Sequence, residues 1–240
     1  MPTVLVTGAA RGLGLEFARQ YHADGWRVLA CARAPQSATG LQSLAAASTR
    51  LVSVHALDVA DHASVDTLAS QLGETSIDVL INCAGTMGGG SFAAQGLSFG
   101  RFGSSDYDDW IKVLRVNVLG PMKMAEAFVE HVARSEQKKI ITLTSILGSI
   151  GRNTQGGLYA YRASKAAVNA IMRSLALDLG KQRGIIATPI HPGWVRTDMG
   201  GPKADIDAAT SVSGMRAVIS GLTAERAGRY WMYNGDELPW

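Results

Sequence analysis

Residues 156–165, GGLYAYRASK, bring two tyrosines and a lysine into one predicted helix. Tyr161 stands four residues before Lys165, so their side chains share a helix face. Tyr159 has Ala163 at the same offset and cannot form that pair. A protonated amine beside a phenol favours the phenolate and lowers a pKa that starts near about 10. A tyrosine tuned in this way passes a proton to or from a carbonyl oxygen near neutral pH. On its own the spacing is common, but two more polar residues accompany it. Ser145 ends the run KKIITLTS, where its hydroxyl either meets a substrate oxygen or caps a strand end. Asn117, in LRVNVLGP, falls inside a predicted helix, where an amide is a poor helix former and invites a functional or a kink explanation.

A second chemical stretch, TGAARGLG at 7–14, lies between the first predicted strand and the first predicted helix. Gly8, Gly12 and Gly14 permit a tight turn and a close backbone approach to a pyrophosphate. The helix start, which carries Arg11 and Leu13, presents free N–H donors to the same group. In this strand–turn–helix setting the glycines predict a dinucleotide site. The next strand discriminates between dinucleotides. An acid near its end would hold a ribose 2′-hydroxyl, but VLACARAP has Ala32 there, followed by Arg33. A guanidinium suits a 2′-phosphate, and Arg11 supplies a second positive charge, so the predicted cofactor is NADP(H).

These residues need a scaffold, and short apolar runs alternate with helix-period segments almost from end to end. Strands are predicted at 3–7, 26–31, 51–57, 77–82, 138–145 and 184–190, with an edge strand at 229–233. Helices are predicted at 13–24, 40–48, 63–72 behind Asp61 as N-cap, 158–182 and 207–221. Continuous Val, Ile and Leu runs are typical of parallel strands buried on both faces. Uninterrupted alternation predicts one domain over 1–240, a doubly wound, Rossmann-type parallel sheet in three α/β/α layers. The stretch 85–103 breaks the pattern, with seven glycines and no periodicity. It reads either as a surface excursion or as a functional loop, since it follows the carboxyl end of a central strand.

Hydrophobic residues make up 47% of the chain and charged residues 18%, the balance of a folded globular protein. No apolar run reaches the roughly 20 residues of a membrane-spanning helix. The opening MPTVLVTGAARG reads as a strand and not as a leader, so the expected compartment is the cytoplasm. A net charge of +3 with dispersed basic residues gives no ground for a nucleic-acid partner. The two cysteines, Cys31 and Cys83, read as buried reduced thiols, and without nearby histidines they cannot complete a metal site.

Together, TGAARGLG, LDV at 57–59, NCAG at 82–85, VN at 116–117, Ser145, YRASK at 161–165 and HPGWVRTDM at 191–199 resemble the short-chain dehydrogenase/reductase family. The resemblance covers essentially the whole chain. Within the family, HPGWVRTDMGGPKA and NGDELPW resemble the C-factor-like and sniffer-like carbonyl reductases. The resemblance implies Tyr161 as acid/base, Lys165 as pKa modulator and ribose ligand, Ser145 as the hydroxyl that orients the carbonyl, and Asn117 as holder of a proton-relaying water. It sets Asp58 at the adenine, Asn82 and Ala84 along the nucleotide cleft, and Pro192, Val195 and Thr197 on the nicotinamide side. Val59, Gly85 and Gly193 are implied as adjoining cofactor contacts. NCAG departs from the family's Asn-Asn-Ala-Gly at Cys83, a small residue able to replace the second Asn structurally.

The activity so implied is reversible, NADPH-dependent reduction of a ketone or aldehyde. The resemblance also admits an NADP-binding signalling or interaction protein, or a reductase of C=C or C=N bonds. Only about ten residues, DMGGPKADID, follow Thr197 before the last predicted helix is under way, which predicts an open pocket. Its candidate walls, Met87, Ile146, Leu147, Tyr159, Trp194 and Met199, suit a hydrophobic or aromatic small-molecule carbonyl. Ala166, Ala167, Val168, Ala170 and Ile171 give the long helix a small, apolar surface. In relatives the corresponding helix helps form a dimer, often within a tetramer, so a homo-oligomer is expected.

Overall fold

Strands that are apolar on both faces require a helical layer on each side. The computed structural model describes residues 1–48, 50–89 and 100–240. Its strands are β1 (Thr3–Thr7), β2 (Arg27–Ala32), β3 (Val52–Ala56), β4 (Val79–Asn82), β5 (Lys139–Leu143), β6 (Ile186–His191) and β7 (Trp231–Met232). Its helices are α1 (Gly12–Ala23), α2 (Thr39–Ala47), α3 (His62–Leu72), α4 (Tyr107–Leu114), α5 (Gly120–Ala133), α6 (Tyr159–Arg183) and α7 (Ala208–Ser220). The strands form one sheet in the order β3-β2-β1-β4-β5-β6-β7, and every neighbouring pair is parallel.

Val4 and Val6 pack with Phe17 of α1, Leu41 of α2 and Val212 of α7, whereas Leu5 packs with Leu68 of α3, Phe128 of α5 and Val168 of α6. Phe17 and Phe128 are fully buried, and burial of a side chain of that size contributes about 1.5–3 kcal/mol. The doubly wound, three-layer sheet expected from the strand–helix alternation is the fold of this chain. Strand order runs outward from β1 to β3 and then returns to set β4 beside β1. Such a reversal opens a crevice at the carboxyl ends of the strands, where doubly wound sheets bind ligands.

Two stretches differ from expectation. The pattern predicts only a helix around Asn117, but α4 and α5 run into each other through a π turn at Arg115–Leu119. There the Gly120 N–H reaches back to the Arg115 carbonyl, inserting one extra residue into the turn. β7 is shorter than the predicted 229–233, because the chain folds back on itself: Met232 donates to the Asp236 carbonyl, and Leu238 donates to the Tyr230 carbonyl. Asp61 caps α3 as expected, accepting from the Ala63 N–H. Of the glycine-rich stretch, 90–99 lie outside the described residues. Its flanks are tied down by Gly89 N–H to Asp109 Oδ2 at 2.8 Å and by Leu158 N–H to the Gly100 carbonyl at 2.8 Å.

A close glycine contact between backbones lies at the start of α1. A Cβ on Gly14 would fall 2.3 Å from the Gly8 carbonyl oxygen, so a side chain there must push the helix off the turn. We expect Gly14→Ala to lose about 1–3 kcal/mol of stability, as overpacked positions do, read as a lower urea midpoint at unchanged slope. An unaltered midpoint would contradict this packing.

Candidate active site

Four turns leave the carboxyl ends of β1, β4, β5 and β6 on one edge of the sheet, and α6 lies against that edge. Tyr161 and Lys165 point inward, 8% and 5% exposed, whereas Tyr159 is 40% exposed and meets Phe102 edge-on with ring centroids 6.4 Å apart. Lys165 Nζ stands 5.6 Å from the Tyr161 ring centroid and donates to the Leu143 carbonyl at 2.9 Å. Ser145 lies two residues past β5 and is buried; its Oγ accepts the Leu147 N–H at 3.2 Å and so caps the short turn Ile146–Gly148. Gly148 lets that turn rest on α6, since a Cβ there would come within 2.8 Å of the Lys165 carbonyl carbon.

Burial governs the electrostatics. Loss of hydration pushes the Tyr161 phenol up to about 12, with a hydrogen bond from the Ser145 side chain pulling the other way. Loss of hydration also pulls Lys165 down to about 8, against the influence of the nearby Cys83 thiol. The lowering of Tyr161 by Lys165 expected from their spacing is therefore not what the protein alone produces. The ammonium gives its hydrogen bond to a backbone carbonyl and not to the phenol, and a buried phenolate lacks hydration. The result is a phenol that holds its proton at neutral pH, with a cation beside it below about pH 8.

The floor of the site is cross-linked. The π turn aims Asn117, 1% exposed, at the turn after β4. Asn117 Oδ1 accepts the Thr86 N–H at 2.9 Å, while Nδ2 donates to the Thr86 carbonyl at 2.8 Å and to Ser164 Oγ at 3.0 Å. Ser164 in turn donates to the Tyr161 carbonyl at 2.8 Å. Gly85 lies between them, for a Cβ there would be 3.5 Å from Asn117 Oδ1 and 3.7 Å from Lys165 Nζ. Thr7, the last residue of β1, accepts the N–H groups of Cys83 and Ala84 at 3.0 and 3.1 Å. Asn82 donates to Thr142 Oγ1 at 3.2 Å, and its buried Oδ1 has no partner among the described residues. Cys31 is buried as expected, but Cys83 is only half-buried because it sits in the turn beyond β4. Sequence reasoning gave no role to Thr7, Thr86, Ser164 and Gly148, although Thr7 lies inside TGAARGLG and Ser164 inside YRASK.

The turn after β1 forms a cradle. Gly8 has φ 69° and lies so close to the β4 turn that a Cβ would be 2.9 Å from Ala84 Cα. Arg11 heads α1 without capping it by its side chain, which leaves the first-turn N–H groups of Gly12, Leu13 and Gly14 without intrahelical partners. Arg11 pairs instead with Asp198, both exposed, and the Thr197 methyl comes within 3.5 Å of where a Gly12 Cβ would stand. Arg33 is exposed just beyond β2. Past β3, Asp58 accepts the Ala60 N–H at 3.0 Å and Val59 is buried against Gly120. Past β6, the Pro192 carbonyl accepts from Ser211 at 2.6 Å, Gly193 takes φ 83° beneath the Tyr233 ring, and Val195 is buried. Open helix donors, two guanidinium groups and the unpartnered Asn82 Oδ1 fit an anionic dinucleotide laid across these turns.

The remaining wall candidates divide by exposure. Met87 is buried, Ile146 and Leu147 are half-buried on the Ser145 turn, and Trp194 and Met199 are exposed on the β6 turn, with Trp194 Nε1 donating to the Gly200 carbonyl at 2.8 Å. Among the described residues no group of three or more His, Cys, Asp or Glu is placed to hold a metal, and no helix is long and apolar enough to cross a membrane.

Comparison with known proteins matches this arrangement to a family. Residues 2–207 match the short chain dehydrogenase model, and the chain belongs to that family. Within it the chain groups with C-factor-like and sniffer-like members. It is 42% identical over 164 residues to the C-signal protein of Myxococcus xanthus, covering 68% of this chain and 93% of that protein. The carbonyl reductase Sniffer of D. melanogaster superposes with a TM-score of 0.90 at 31% identity, covering 100% of both chains. The NADPH-bound carbonyl reductase from chicken fatty liver superposes with a TM-score of 0.89 at 31% identity, covering 100% of this chain and 99% of that one.

Proposed function

We propose that this chain is an NADP(H)-dependent carbonyl reductase that converts a ketone or aldehyde to an alcohol, reversibly, in the cytoplasm. The observation that carries the reading is the meeting of Ser145, Tyr161 and Lys165 beside a helix start with open N–H donors. Gly8, Arg11, Gly12, Leu13 and Gly14 hold the pyrophosphate, Arg33 the 2′-phosphate, and Asp58 and Val59 the adenine. Asn82, Ala84, Gly85, Pro192, Gly193, Val195 and Thr197 border the remainder. When bound, the cofactor supplies the hydride that reaches the carbonyl carbon. Ser145 fixes the carbonyl oxygen by hydrogen bond, and Tyr161 delivers its proton to that oxygen. Lys165 then stabilises the phenolate left behind, a service it renders while charged, below about pH 8. Asn117 keeps the β4 turn in register with α6 and is the station for a relaying water.

Ile146, Leu147, Met87, Tyr159, Trp194 and Met199 favour a hydrophobic or aromatic carbonyl over a charged one. The outward residues Ile111 and Leu177, 51% and 57% exposed, support a homo-oligomer built on α4 and α6. The 42% identity to C-signal favours a second reading, an NADP-binding signalling or interaction protein.

The test is oxidation of NADPH, with NADH in parallel, against a panel of aryl, alkyl and cyclic ketones and aldehydes. We expect turnover with NADPH that Tyr161→Phe abolishes by about 10²-fold or more while NADPH binding persists. Tyr159→Phe is expected to alter KM mainly. Loss of turnover in Tyr159→Phe in place of Tyr161→Phe would contradict the assignment, and NADPH binding without any turnover would favour the second reading.

The cofactor preference has its own check. Arg33→Asp removes the guanidinium from the end of β2 and introduces a carboxylate able to hold a ribose hydroxyl. The ratio of kcat/KM for NADPH over NADH is expected to fall by about 10²-fold, as for a lost charge-assisted bond of about 1.5–3 kcal/mol. An unchanged ratio would remove Arg33 from the site.

A further inference from the structure

We infer that Tyr230 is a positioning residue for Ser145, holding the backbone of the serine turn from the far end of the chain and so aiming the Ser145 hydroxyl. The inference rests on the reading of Ser145 as the group that orients the carbonyl. Tyr230 is 0% exposed and heads the largest fully buried side chains. Phenylalanine would fill the same space without the cost of burying a hydroxyl, so the hydroxyl has a use. It donates to the Ser145 carbonyl.

Ser145 depends on such support because it stands outside the strand. β5 ends at Leu143, and the last backbone tie to β6 is Thr144 N–H to the Ile190 carbonyl at 2.9 Å. From there the Ser145 carbonyl has two partners, the Gly148 N–H at 2.7 Å and Tyr230. The first closes the turn on itself, whereas the second fixes the turn to the rest of the molecule. The turn also determines where Oγ points, through the Leu147 N–H that Oγ accepts.

The terminal segment holds the same turn at two further points. The Tyr230 ring stacks on Trp240 with centroids 5.5 Å apart. The Trp240 carbonyl accepts the Gly151 N–H at 2.9 Å, and Ser149 Oγ lies 2.6 Å from the Pro239 carbonyl and 2.9 Å from that of Trp240. Tyr230 is itself anchored by the Leu238 N–H, which donates to its carbonyl at 2.7 Å. Residues 145, 149 and 151 are thus braced by 230–240.

The test is a double-mutant cycle with the full chain, NADPH and a ketone that it reduces. In Tyr230→Phe the Ser145 carbonyl keeps its Gly148 bond, so the turn persists but is no longer anchored. We expect kcat and kcat/KM to fall together by about tenfold, the scale of a small misplacement of a reacting group, with NADPH affinity unchanged. In a Ser145→Ala background Tyr230→Phe is expected to cost nothing further. Wild-type turnover in Tyr230→Phe, or an equal further loss in the Ser145→Ala background, would overturn the inference, the latter by marking a purely structural role. Should Tyr230→Phe fail to fold, Ser149→Ala loosens the same turn and must show the same dependence on Ser145; wild-type kcat there also overturns it. Full turnover by Ser145→Ala would instead sink the reading of Ser145, and this inference with it.

Discussion

Removal of Tyr161 and Lys165 from water governs what this site does. Spacing alone suggests that the amine lowers the phenol, yet with both groups buried the cost of dehydrating a phenolate dominates, and Tyr161 goes up to about 12. The amine pays the same cost and drops to about 8. A phenol that keeps its proton, beside an amine on the edge of losing its own, is prepared to give a proton to an oxygen that develops negative charge. Close packing enforces the burial: Gly148 brings the β5 turn against α6 with no room for a side chain, and Gly85 sets the β4 turn within van der Waals reach of Lys165.

The same turns are tied to one another by hydrogen bonds that cross between strands. Thr7 joins the turn after β1 to that after β4, Asn117 joins the β4 turn to α6, and Tyr230 joins the β5 turn to the end of the chain. Each tie is at least partly buried, where an unmade bond is expensive, so the edge of the sheet behaves as a single body. Along the same edge the cradle after β1 is open: Arg11, Gly12 and Arg33 are exposed, which suits an anionic partner that arrives and leaves. Rigid chemistry beside an accessible cradle fits a reductase that exchanges its cofactor at every turnover.

Much of this was legible in the residues. The choice of Tyr161 over Tyr159 follows from helical periodicity, and it agrees with 8% against 40% exposure. The sheet follows from apolar runs with no polar face, and the placement of Arg33 from its position at the end of the second strand. The distortion at Asn117 was foreseeable from an amide in a helix, but not its form, since a π turn depends on how α4 packs on α6 while α5 meets the sheet. Tyr230 left no trace, because it lies 85 residues from Ser145 in sequence and a single tyrosine near an edge strand has no periodicity to betray it. The balance between burial and the lysine was also hidden, for hydration is a property of the assembled site.

That balance can be measured on the protein without cofactor. Ultraviolet absorbance of tyrosinate, recorded for the wild type minus Tyr161→Phe from about pH 6 to about pH 10, isolates the one phenol at issue. With Tyr161 raised to about 12, the difference should show no tyrosinate across that range. A tyrosinate signal rising near pH 8 would mean that the lysine outweighs burial, and the account of Tyr161 as a standing proton donor would be wrong.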